Sequence, residues 1–117
     1  MKSRRDLVRE YHETKPAMGV LRIRHRNSGR ALYVGGVNLP ALENRLRFQL
    51  DLGTHGNARL QADWKTEGEA AFVFEVVSLL ARREGVDDYR DEIEALESLC
   101  LEQDEPWEPR GYHPSNR

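Results

Sequence analysis

Four closely spaced arginines, Arg22, Arg24, Arg26 and Arg30, surround a turn formed by Asn27-Ser28-Gly29. Guanidinium groups are planar forks that match two phosphate oxygens at once. From Val20 to Arg26 the residues alternate, Leu21 and Ile23 to one side, Val20, Arg22 and Arg24 to the other. This pattern predicts a strand with one wet face. Such a face suits a polyanion; it equally suits a solvated sheet edge. Glu97 is the carboxylate best placed for a cation. On a helix whose apolar stripe is Tyr89, Ile93, Leu96 and Cys100, it falls roughly 40° from Ile93 and roughly 60° from Cys100. A carboxylate bordering a buried face needs a metal, a partner or water, unless its tip simply reaches solvent. Arg45 borders the stripe of Leu42, Leu46 and Gln49 in the same way, either to bind phosphate or to cover apolar area with its stem. Tyr33 points opposite to Leu32 and Val34. Its phenol could orient a water or relay a proton, although an ordinary pKa near 10 makes it a weak base; the alternative is a half-buried sheet tyrosine. His25 could serve as an acid or base, but it alternates with Arg24. A cation site, a guanidinium and a proton carrier are what phosphodiester hydrolysis requires.

The elements that must position these groups follow from periodicity. Residues 3–14 read as a short amphipathic helix ended by Pro16. A hairpin then runs from Gly19 to Gly36, with Gly29 supplying the positive φ of its turn. Pro40 sits just inside a helix that continues to about Leu52, where Gly53 stops it. Asn57 is the cap of a helix through Trp64, closed by Gly68. Phe72 to Val77 alternates as a strand. Ser78 to Arg83 reads as a short helix or loop, and Asp87 or Asp88 caps a last helix from about Tyr89 to Gln103. Pro106, Pro109 and Pro114 predict an extended tail from 104 to 117. The expected fold is α/β in the α+β sense: a small, mainly antiparallel three-stranded sheet flanked by helices.

The length of 117 residues fits one domain, 1–117. Hydrophobic residues make up 38% and charged residues 32%, which fits a soluble globular chain, and no run approaches the length of a membrane span. The single Cys100 rules out an internal disulfide and points to a cytoplasmic setting. A net charge of −2 hides a gradient: residues 1–30 carry nine lysines and arginines against three acids, and the acids gather between Asp87 and Glu108. A basic first third fits phosphate contact, whereas the overall balance argues against tight binding by charge alone. His12, His55 and His113 lie far apart and form no metal-ligand spacing with Cys100, and no phosphate-cradling glycine loop is present.

Gly19-Val20-Leu21, Tyr33-Val34-Gly35 and Asn38-Leu39 in this order resemble the GIY-YIG nuclease family. Phe48-Gln49-Leu50, Leu60-Gln61-Ala62-Asp63-Trp64, Phe72-Val73-Phe74-Glu75-Val76 and Arg110-Gly111-Tyr112 resemble a small single-domain bacterial branch of it. Leu21 stands where the family has a tyrosine, Leu42 where many members have an arginine, Leu46 where that branch often has a histidine and His113 where the family often has an asparagine. Cys100 replaces an aromatic that follows the family's glutamate. The resemblance implies metal-dependent cleavage of DNA phosphodiesters, weakened or lost through these departures. Tyr33, Arg45 and Glu97 would be its catalytic groups, with Glu97 on a divalent magnesium or manganese ion. The alternative is a catalytically inactive module that binds nucleic acid or a protein partner through the Arg22/Arg24/Arg26 face.

Overall fold

A computed structural model describes residues 15–114. The helix expected over 3–14 lies outside them. The order is β1 (Gly19–His25), β2 (Ala31–Gly36), α1 (Leu39–Leu52), α2 (Ala58–Glu67), a 3-10 turn (Glu69–Ala71), β3 (Phe72–Leu79) and α3 (Arg90–Asp104). The three strands form one antiparallel sheet in the order β2-β1-β3.

The alternation of β1 assigns each sheet face its own layer. Leu21, Ile23 and Leu32 join Leu39, Leu42, Leu46 and Leu50 of α1 and Leu60 and Trp64 of α2 in the main core. Val20, Ala31 and Tyr33 turn to the other face and meet Cys100, Leu96 and Leu101 of α3. Val20, Leu21 and Ile23 are at most 1% exposed, and burying each such side chain is worth at most about 1.5–3 kcal/mol. The central strand therefore anchors both layers.

Capping chemistry sets the helix limits. Asn38 Oδ1 accepts from the Ala41 N–H and Asn57 Oδ1 from the Leu60 N–H, each satisfying a donor that the first turn leaves unpaired. Gly53 ends α1 at φ 80°, which a side chain would resist. In α3 the capping position is Tyr89, without a side-chain cap; Asp88 instead accepts from the Arg90 N–H. Asp91 and Glu92 in the first turn complement the helix dipole.

Two expectations need correction. The sequence predicts a short helix or loop from Ser78, but β3 continues to Leu79, because Val20 and Gly19 still offer register partners to Ser78 and Leu79. The prolines predict an extended tail. Instead it folds back: His113 N–H donates to Pro106 O and Gly111 N–H to Trp107 O, and Tyr112 is fully buried.

That return has a purpose at the outer edge of β2. Open strand edges leave donors and acceptors unpaired. Here Ala31 O accepts from the Tyr112 N–H, the Tyr33 N–H donates to His113 Nε2, and the Gly35 N–H donates to Glu97 Oε2. The tail and α3 thus replace a fourth strand. No helix among the described residues is long and apolar enough to cross a membrane.

Candidate functional site

Glu97 sits at the Gly35–Gly36 end of β2. Its Oε2 accepts the Gly35 N–H at 3.0 Å. A Cβ on Gly35 would lie 2.6 Å from Ile93 Cγ2 and 3.0 Å from Glu97 Oε2, so the glycine is what lets α3 bring the carboxylate against the strand. Glu97 lines a cleft of about 520 Å³, shared with Asp87, Asp88, Tyr89, Arg90, Ile93 and Glu94 among others. Among the described residues no three His, Cys, Asp or Glu side chains gather as a metal cage. A cation here would have Glu97 as its protein ligand, with water and substrate oxygens completing its shell, as magnesium commonly has.

Tyr33 shares the sheet face with Glu97 but turns away from it. Its hydroxyl donates to Asp104 Oδ2 and accepts from Arg22 Nη1 at 3.5 Å. Asp104 lies seven residues beyond Glu97, roughly 10 Å along the helix. Burial, reinforced by Asp104 against the opposing pull of Arg22, raises the phenol above its ordinary pKa. The hydroxyl is therefore neutral near pH 7 and serves Asp104 as a donor.

Arg22 and Arg24 also lie on this face, and both are held by Glu75. Arg22 Nη2 donates to Glu75 Oε2, and Arg24 Nε donates to Oε1 at 3.0 Å. The Arg22 hydrogen bond, with help from Arg24, holds the Glu75 carboxyl below the usual range, against a smaller opposing effect of burial. Arg22 Nη1 is 3.8 Å from Asp104 Oδ2, and Arg22 Nε is buried without a partner. Arg26 is exposed at the turn. Arg30 belongs to the other layer, its Nε 3.8 Å from Asp63 Oδ2 on α2. The four arginines thus do not share one face, and Arg22, Arg24 and Arg30 already have carboxylate partners.

Arg45 is exposed on α1, the layer on the opposite side of the sheet from α3. The structure brings Tyr33 and Glu97 to one face and leaves Arg45 across the sheet from them. Leu42 is buried in the main core, its Cδ2 3.1 Å from where a Gly36 Cβ would stand. Leu21 is likewise core, 1% exposed. His25 faces α2, bound to Ser28 and beside Glu67. Trp64 is core, with its indole N–H on Asp51.

Sequence reasoning missed three groups. Asp104 repeats Glu97 after two helical turns, a spacing that signals a shared face. Glu75 interrupts the apolar alternation of β3, a signal that it points at something polar, but only the β1–β3 register identifies Arg22 and Arg24. His113 accepts the Tyr33 N–H, so its Nε2 is unprotonated, and burial lowers its pKa in keeping with that role. No signal in the sequence pairs residues 80 positions apart.

No protein-family model matches the sequence, and no curated protein matches it at a significant level. Solved structures do. The catalytic domain of the homing endonuclease I-TevI superposes with a TM-score of 0.70 at 15% identity, covering 85% of this chain and 99% of that one. A point mutant of the catalytic domain of intron endonuclease I-TevI gives a TM-score of 0.70 at 14% identity, covering 86% and 96%. With its β2-β1-β3 antiparallel sheet, two helical layers and these counterparts, the chain has the fold of the GIY-YIG nuclease catalytic domain.

Proposed function

We propose that this chain is a nuclease-like protein acting on DNA phosphodiesters, with Glu97 holding one divalent cation, magnesium or manganese. The observation that carries the reading is the Gly35–Glu97 contact, which fixes one carboxylate oxygen on the strand while the side chain lines an open cleft. A bound cation would neutralise phosphate charge and favour an attacking hydroxide. The chain's own residues supply little else. Tyr33 is a positioning residue that braces α3 through Asp104. Arg45, exposed on α1 across the sheet from Glu97, would meet DNA only away from the scissile phosphate. With leucines at 21 and 42, groups that would act as a unit are missing, and such losses cut rates severely. Cleavage is therefore slow. Supercoiled plasmid with Mg²⁺ or Mn²⁺ should be nicked slowly by the wild type and not by Glu97→Ala. Nicking that persists in Glu97→Ala would refute the assignment.

A second reading draws on the burial of Leu42 and Leu21. In it the domain is catalytically inactive and binds nucleic acid or a protein partner through Arg22, Arg24 and Arg26. Its signature is no nicking, with salt-sensitive DNA binding lost on replacing Arg22 and Arg24.

A further inference from the structure

The β1–β2 turn carries a second cluster of reactive groups, on the sheet face away from Glu97. His25 is 4% exposed and its ring centroid is 5.0 Å from that of Phe72. His25 Nδ1 lies 2.6 Å from Ser28 Oγ. Its Nε2 lies 2.7 Å from Glu67 Oε2, off the N–H axis of a straight hydrogen bond. An ionised carboxylate offers lone pairs only, so the hydrogen of a neutral imidazole belongs on Nε2. Nδ1 is then the acceptor, and the Ser28 hydroxyl is the donor. The Arg30 N–H donates to Ser28 Oγ at 3.1 Å and holds the oxygen in place. Asn27 Nδ2 donates to Glu67 Oε1 at 3.4 Å, tying the carboxylate to the same turn. Ser28 itself is exposed.

A hydroxyl on a base, with the base beside a carboxylate, is the arrangement that activates a serine. We propose that Ser28 is a nucleophile toward small activated carboxylic esters, with His25 as general base and Glu67 stabilising the imidazolium. Ser28 Oγ bonds to the carbonyl carbon as its proton passes to His25 Nδ1. The ester C–O bond breaks as that proton passes to the leaving oxygen. Water then attacks the acyl-serine, gives its proton to Nδ1, and the proton returns to Ser28 Oγ as the acid departs. No oxidant, reductant or cofactor is needed. The turn is open to solvent, so small activated esters can reach Ser28. It shares no residue with the Glu97 cleft, and it stands or falls apart from the nuclease reading.

The test is acetylation of the full chain by p-nitrophenyl acetate, with modified residues mapped by mass spectrometry. Ser98, exposed on α3, is the internal standard. Ser28 should acetylate faster than Ser98 by about 10²-fold or more, the usual scale of general-base assistance. Release of p-nitrophenolate should fall in Ser28→Ala. The advantage of Ser28 over Ser98 should vanish in His25→Gln and shrink in Glu67→Gln. Because His25 is buried, His25→Gln is used only if circular dichroism shows it folded; Glu67→Gln, at a partly exposed position, tests the relay independently. Acetylation of Ser28 at the rate of Ser98, or an advantage unchanged in Glu67→Gln, would overturn the proposal.

Discussion

Replacing Gly35 by alanine tests whether the approach of α3 to β2 depends on a missing side chain. The new Cβ would stand 2.6 Å from Ile93 Cγ2 and 3.0 Å from Glu97 Oε2. Carbon atoms prefer about 3.5–4.0 Å, so the methyl of Ile93 must retreat by roughly 1 Å. Ile93 is 7% exposed and packed against Met18 and Tyr89, so swinging its methyl aside gives up that packing. The alternative is a shift of the helix, and overpacking of this kind costs about 1–3 kcal/mol. The same shift stretches the Gly35–Glu97 hydrogen bond, a charge-assisted contact worth about 1.5–3 kcal/mol. One displacement produces both effects, so they do not add fully, and about 2–4 kcal/mol is expected. Urea denaturation should show the midpoint falling with an unchanged slope. Ile93→Ala removes the clashing methyl. In a double-mutant cycle it should cost at least about 1 kcal/mol less in the Gly35→Ala background than in the wild type. A Gly35→Ala midpoint within about 0.5 kcal/mol of wild type, or a strictly additive cycle, would refute the reasoning.

Two further outcomes follow from the groups on the α3 face. Glu75→Gln removes the one negative charge that Arg22 and Arg24 share; DNA binding should tighten, with a salt slope steeper by about one phosphate in filter-binding assays. An unchanged slope would mean that these guanidiniums do not meet DNA. His113, with its pKa lowered by burial, is bound neutral. The unfolded chain takes up its proton first as pH falls below the ordinary imidazole value of about 6.5, so stability is full above that value and declines below it. His55, also lowered by burial, adds to the same decline. The loss in denaturation midpoint between about pH 7 and about pH 5 should shrink in His113→Asn and in His55→Asn. A profile that neither substitution alters would exclude both histidines.

The sequence carried the parts of this fold that depend on neighbours along the chain. Leu42 and Leu46 mark the buried side of α1, to which the structure adds Leu39 and Leu50 rather than Gln49, and the Asn57 cap marks where α2 begins, because one turn contains all the relevant atoms. Glu97 was legible for the same reason: its angle to Ile93 and Cys100 is local. What was not legible is which sheet face each helix covers. A helical wheel shows that Arg45 borders the apolar stripe of α1, but not that α1 and α3 lie on opposite faces. The tail misled because prolines were read as extension, whereas the docking of Tyr112 and the packing of Gly111 against Pro106 depend on a surface made elsewhere. Tyr33 shows the limit most clearly. Its direction on the strand was correct, but the phenol's partner is Asp104, 71 positions away, and the bracing role proposed above rests on that contact.

The proposed function gives Glu97 two separable duties, and two substitutions separate them. As a structural group it accepts the Gly35 N–H and closes the edge of β2. In the proposed reading it also offers negative charge to the cleft it lines. Glu97→Gln keeps a carbonyl oxygen able to accept that N–H while removing the charge. It should hold stability to within about 1 kcal/mol of wild type, while losing divalent-cation binding measured by calorimetry or by Mn²⁺ relaxation. Glu97→Ala loses both, leaving the Gly35 N–H without its acceptor at a cost of about 1–3 kcal/mol. If Glu97→Gln still binds the cation as the wild type does, the carboxylate is only an edge cap, and the binding-module reading takes the place of the nuclease one. If Glu97→Gln is as unstable as Glu97→Ala, the edge closure depends on charge rather than on an acceptor oxygen, and the brace must include groups beyond Gly35.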